Sequence, residues 1–146
     1  VKLKLGCGSQ MLPPLPLENI MSTDKLKVID ANAMPWEERF VPQLGKALFA
    51  KLFMEDPDTG VLIRMVKYPA GFMNTWHHHP CAHGMYVLEG TLVTHQGSFG
   101  PGNFVWFPEG MTMQHGATQQ EDVTVLFITN KKFEIHYVQP EQGRDR

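Results

Sequence analysis

Apolar residues in this chain fall in short runs separated by glycine and proline, not in the broad 3.6-residue stripes of amphipathic helices. From residue 26 onward the runs are Leu26 to Ile29, Ala47 to Met54, Val61 to Tyr68 and Met85 to Leu88. Thr91 to His95, Phe104 to Phe107, Val123 to Thr129 and Phe133 to Val138 follow. Turn signals stand between them: Asp58-Thr59-Gly60, Pro69-Ala70-Gly71, Gly90, Gly97 and Gly100-Pro101-Gly102. In Val123 to Thr129 the alternation puts Val123, Val125 and Phe127 on one face and Thr124, Leu126 and Ile128 on the other. Strands at this spacing predict an all-β sandwich or small barrel.

The first twenty residues differ. They carry Gly6-Cys7-Gly8-Ser9 and Pro13-Pro14-Leu15-Pro16, and Met21-Ser22-Thr23-Asp24-Lys25 then reads like a bacterial start. Residues 1–20 are expected to be an upstream or vector-derived extension, or an arm packed on a neighbouring subunit. The folded domain is expected over residues 21–146, with a frayed polar tail from Pro140 to Arg146. At 146 residues, one domain can bury a real core. The 42% hydrophobic and 19% charged content excludes disorder. A net charge of −2 leaves no basic footprint for nucleic acid. No apolar run is long enough to suggest a membrane span. Cys7 and Cys81 differ in context and make no disulfide framework, so a cytoplasmic protein is expected.

The candidate chemistry lies in Gly71-Phe72-Met73-Asn74-Thr75-Trp76-His77-His78-His79-Pro80-Cys81-Ala82-His83. In an extended chain His77 and His79 share one face and His78 takes the other. If the shared face is the barrel interior, His77 and His79 converge, His83 can close on the same point, and His115 arrives from a later segment. Imidazole nitrogens bind first-row metals at about 2.0–2.1 Å, so the four need only meet inside a narrow barrel. His95 and His136 have no partner spacing.

Gly71, His77, His79, His83 and Gly90 resemble the first cupin motif, and Gly102, Pro108, Gly110 and His115 resemble the second. The likeness extends through flanking strands to about residues 26–138. It implies a single-domain cupin, a double-stranded β-helix or jelly-roll barrel. His83 stands where that motif normally carries glutamate; the step from Gly110 to His115 is longer than usual, and the usual terminal asparagine is missing. The chain resembles small cupins of the acetylacetone dioxygenase and dihydroxyacetophenone dioxygenase type, and the ChrR-like anti-sigma-factor cupins share this general form. The first group implies Fe(II) on His77, His79 and His115, with O₂ cleaving a carbon–carbon bond of a small β-diketone or hydroxy-ketone. His83 would add a fourth ligand where those enzymes need none. An all-histidine site also suits Zn(II), Ni(II) or Cu(II). Two alternatives stay open: non-redox cyclisation or isomerisation on zinc, as in a cupin polyketide cyclase, and a zinc-binding sensor without turnover.

Around these ligands, Arg64, Met85, Trp106 and Phe127 are the expected substrate-pocket residues for a small apolar ketone, and Glu109 and Gln114 are expected to orient groups near the metal. Arg64 could meet a substrate anion, with a protein carboxylate the favoured partner. Tyr86 is expected to point away from the metal, and Cys81 is not taken as a ligand. Edge strands of such a barrel invite pairing, and a homodimer is expected.

Overall fold

In the computed structural model, which describes residues 25–139, every regular element is a strand. These are β1 (Glu37–Val41), β2 (Lys46–Glu55), β3 (Leu62–Tyr68), β4 (Met73–His78), β5 (His83–Glu89) and β6 (Leu92–Thr94). β7 (Gly97–Phe99), β8 (Phe104–Phe107), β9 (Met113–Ala117), β10 (Val123–Thr129) and β11 (His136–Tyr137) complete the order. The fold is all-β, as expected. No helix among the described residues is long and apolar enough to cross a membrane. The expectations for residues 1–20 and for the tail lie outside the described residues.

The strands form two sheets, one of six in the order β1-β2-β3-β10-β5-β8 and one of five in the order β11-β4-β9-β6-β7, all pairs antiparallel. Period-two alternation turns one face of each sheet inward. β3 contributes buried Leu62, Val66 and Tyr68; β10 contributes Val123, Val125 and Phe127; β5 contributes Met85 and Val87. Each large apolar side chain removed from water adds about 1.5–3 kcal/mol. Phe72, Leu92, Phe107 and Met113 close the same core.

Leu26 to Ile29 is not the expected strand. Leu26 is 93% and Val28 is 86% exposed, and the segment is irregular, because no strand among the described residues offers it a ladder or an apolar face. The inner-facing strands meet closely where β4 and β9 pair. A Cβ on Gly116 would lie 2.0 Å from the Phe72 carbonyl oxygen, so only glycine permits that approach. Gly110 adopts φ 76° in the loop before β9, and its N–H donates to the His79 carbonyl at 3.0 Å. That bond ties the β8–β9 loop to the backbone of a candidate ligand.

Candidate metal centre

His77 lies on β4, His79 just beyond its end and His115 on β9, and the strands bring them together. Their candidate ligand atoms all lie within 4.8 Å of one another, and each residue is at most 2% exposed. A β-bulge decides the placement on β4. Asn74 pairs with His115 and His77 with Met113, so β4 has one residue more than β9 between the two pairs. Asn74 and His77 are both buried despite their odd spacing. On β9, Met113 and His115 face in, while Gln114 turns to the other face.

Backbone carbonyls orient two of the rings. His77 Nδ1 donates to the Thr75 carbonyl at 2.5 Å, and His79 Nδ1 donates to the Glu134 carbonyl at 2.6 Å. A proton held on Nδ1 leaves the Nε2 lone pair free for a cation. His77 Nε2 and both ring nitrogens of His115 are buried without a hydrogen-bond partner. Leaving such groups unsatisfied costs about 1–3 kcal/mol each, and a divalent ion shared by the lone pairs would satisfy them together. Burial pushes the His77 pKa down and the His115 pKa well down, and it pushes His79 down to about 4. At pH 7 these imidazoles are therefore neutral, the form that binds metal. The residues present fit a divalent ion.

His83 borders this group without joining the tight trio. Its ring is 4.8 Å from that of His79 and 6.2 Å from that of His115. It stacks on Phe107 at 4.7 Å with planes 11° apart, and Phe127 lies 5.1 Å away. Both its nitrogens are buried and unpartnered, and burial lowers its pKa to about 3. His78 faces away, stacked on His136 at 5.3 Å. His95 packs against Trp76.

A cavity of about 420 Å³ reaches His79 and His115, within the size range of small-ligand sites. Of the four residues named as a substrate pocket, Arg64 and Phe127 line this cavity. Met85 does not: it is fully buried in the core, paired with Phe127 across β5 and β10. Trp106 does not line it either. It is 50% exposed, because Phe107 takes the inward position on β8 and alternation sends Trp106 outward. Glu109 is exposed and paired with Lys131 at 2.6 Å, so its carboxylate is directed to the surface and not to the rings. Gln114 is absent from the cavity wall. Tyr86 points outward as expected. The favoured carboxylate partner of Arg64 is not there among the described residues; its guanidinium lies over Phe127 at 4.8 Å and Phe133 at 5.0 Å.

Among the wall residues that sequence reasoning did not single out are Tyr68, Asn74, Phe133 and Tyr137. Tyr68 shares the parity of Arg64 on β3, a signal that was present. Tyr137 donates its hydroxyl to Asn74 Oδ1 at 2.6 Å, a contact across 63 residues that no local pattern announces.

No curated protein sequence matches the chain significantly. Many solved structures are similar in fold. An RmlC-like cupin protein from Ralstonia eutropha JMP134 shares 22% identity over 82% of this chain and 76% of its own, with a TM-score of 0.68. An acetylacetone dioxygenase candidate from Methylibium petroleiphilum PM1 shares 13% identity over 84% and 87%, also with a TM-score of 0.68. The polyketide cyclase RemF from Streptomyces resistomycificus shares 17% identity over 81% and 89%, with a TM-score of 0.65. At these identities the likeness establishes the cupin fold alone. The ChrR Cupin-like domain profile matches residues 24–134, which include β1 to β10. On that match the chain belongs to the ChrR Cupin-like domain family of the cupins.

Proposed function

We propose that this chain is a metal-dependent enzyme acting on small carbonyl compounds, and specifically an Fe(II) dioxygenase that cleaves a carbon–carbon bond of a β-diketone or hydroxy-ketone. The observation that carries the reading is the group of neutral, buried imidazoles of His77, His79 and His115, of which His79 and His115 line a cavity of about 420 Å³. A divalent ion held there would act as a Lewis acid toward a carbonyl and, as iron, would supply electrons to O₂. The Thr75 and Glu134 carbonyls hold two of the rings in register. Phe127 and Phe133 provide apolar wall against the ligand and keep water from its carbon skeleton.

We assign His83 as a fourth ligand, on the strength of its two unpartnered nitrogens beside the trio. That same observation favours a second reading, non-redox cyclisation or isomerisation on zinc, since a fourth protein ligand narrows the space for both substrate and O₂. Oxygen uptake with acetylacetone after anaerobic loading with Fe(II) is the test. Uptake matched to substrate consumed supports the dioxygenase. Turnover of a diketone by the zinc form without O₂ supports the second reading. Tight zinc binding with no turnover of any ketone would leave a sensor module.

The same proposal includes a cytoplasmic homodimer. Its interface is the outer face of β5 and the edge strand β8, where Tyr86, Leu88, Phe104 and Trp106 are all exposed. Light scattering of the wild type and of Phe104→Asp should give a dimer and a monomer respectively.

A further inference from the structure

We infer that Arg64 is a carboxylate anchor, and that the ligand of this cavity is a small keto acid whose carboxylate and carbonyl are separated by an apolar or aromatic spacer. The inference rests on the proposed role of the cavity as the substrate site and adds the charge of the substrate.

Arg64 occupies an inward position on β3, on the face it shares with Leu62, Val66 and Tyr68. Its neighbours across the ladder are Phe127 and Leu52, so the sheet itself offers no counter-ion. Its Nε is buried without a partner, and no carboxylate pairs with it among the described residues. Of the other charged residues on the cavity wall, Arg39 is bound to Glu37 at 2.7 Å, and Glu55 forms no ion pair with Arg64. Cation–π contact with Phe127 and Phe133 offsets only part of the cost of burying the charge. The balance is an electropositive point in an apolar wall, and an anionic ligand would restore it.

Guanidinium geometry narrows the anion. Phe127 and Phe133 pack against one side of the guanidinium, their centroids 5.5 Å apart and their planes at 86°, which leaves other N–H donors of the fork open to a planar oxyanion, and a carboxylate meets such a fork with two parallel hydrogen bonds. The aromatic layer also sets the length of the ligand. Phe133 lies 5.0 Å from Arg64 and 4.9 Å from the His79 ring, so the two ends of the site border the same ring. A ligand with its carboxylate on Arg64 and its carbonyl toward the histidines would lie along Phe133.

Calorimetric titration tests this with 4-acetylbenzoate and its neutral near-isostere 4-acetylbenzamide, on metal-free and zinc-loaded protein. The acid should bind at least tenfold more tightly than the amide in both forms. Arg64→Met should bring the two within about twofold, and Arg64→Lys should retain part of the preference. Zinc affinity and the far-ultraviolet circular dichroism of both variants should match the wild type, which separates loss of the anchor from loss of the fold. Equal binding of acid and amide, a preference that survives Arg64→Met, or no binding of either probe would overturn the anchor. A wild type that prefers the acid yet fails to bind zinc would instead sink the metal reading and leave the anchor standing.

Discussion

Acidification of the metal-free protein should expose the strain of packing so many imidazoles in one dry place. Burial holds His79 near pKa 4 and His83 near 3, whereas an unfolded histidine titrates near 6.5. Below pH 6.5 the unfolded chain takes up protons that the native site refuses. Stability is therefore complete above about pH 6.5, declines as the pH falls toward the folded values, and levels off beneath them. At pH 5.0 each of these two histidines costs about 2 kcal/mol relative to neutral pH. His77 and His115 shift in the same direction. A combined loss of several kcal/mol is a large share of the roughly 5–15 kcal/mol of a typical domain. The informative variant is His83→Phe. The new ring can stack between Phe107 and Phe127, and it removes two unsatisfied nitrogens. Metal-free H83F should be more stable than wild type at pH 7.5 by about 1–3 kcal/mol, and its loss between pH 7.5 and 5.0 should be smaller by about 2 kcal/mol. Urea unfolding at both pH values, followed by circular dichroism, measures each quantity. Equal wild-type stability at the two pH values, or an undiminished loss in H83F, would refute the reasoning.

Zinc at a hundredfold excess over its dissociation constant should stabilise the wild type by about 2.7 kcal/mol, read as a rise in Tm. His115→Ala should abolish that rise, whereas His78→Ala should preserve it, because His78 faces outward against His136. H83F should still bind zinc through the trio, but more weakly by at least about tenfold in calorimetry, because loss of the proposed fourth ligand should cost no less than loss of an outer hydrogen-bond partner. Gly116→Ala should destabilise the fold by about 3 kcal/mol or more in urea, since the new methyl would meet backbone of the neighbouring strand. Glu109→Ala should change stability by less than about 1 kcal/mol, because its pair with Lys131 is exposed.

Short-range patterns made much of the fold legible. Phe104 to Phe107 and Val123 to Thr129 coincide with β8 and β10, and Val61 to Tyr68 differs from β3 by one residue. Those strands have strong alternation or an apolar run bounded by glycine and proline. β1 and β9 were harder to see. Glu37–Val41 is largely polar, and Met113–Ala117 holds a histidine and a glycine, so neither carries a strand signal without its partner. Leu26 to Ile29 is the reverse case, a local β pattern with no neighbour among the described residues to complete it.

Local sequence determined the identity of the imidazoles and the shared face of His77 and His79, because side-chain direction along a strand follows from backbone geometry alone. Tertiary structure decided the rest. The β4 bulge put Asn74 beside His77; alternation referred to Phe107 sent Trp106 outward; and the arrangement of the two sheets left His83 at the margin of the trio and Arg64 without a carboxylate. Register and cross-sheet distance depend on pairings between residues far apart in the chain, and a one-residue shift in any of them reverses which side chains look inward.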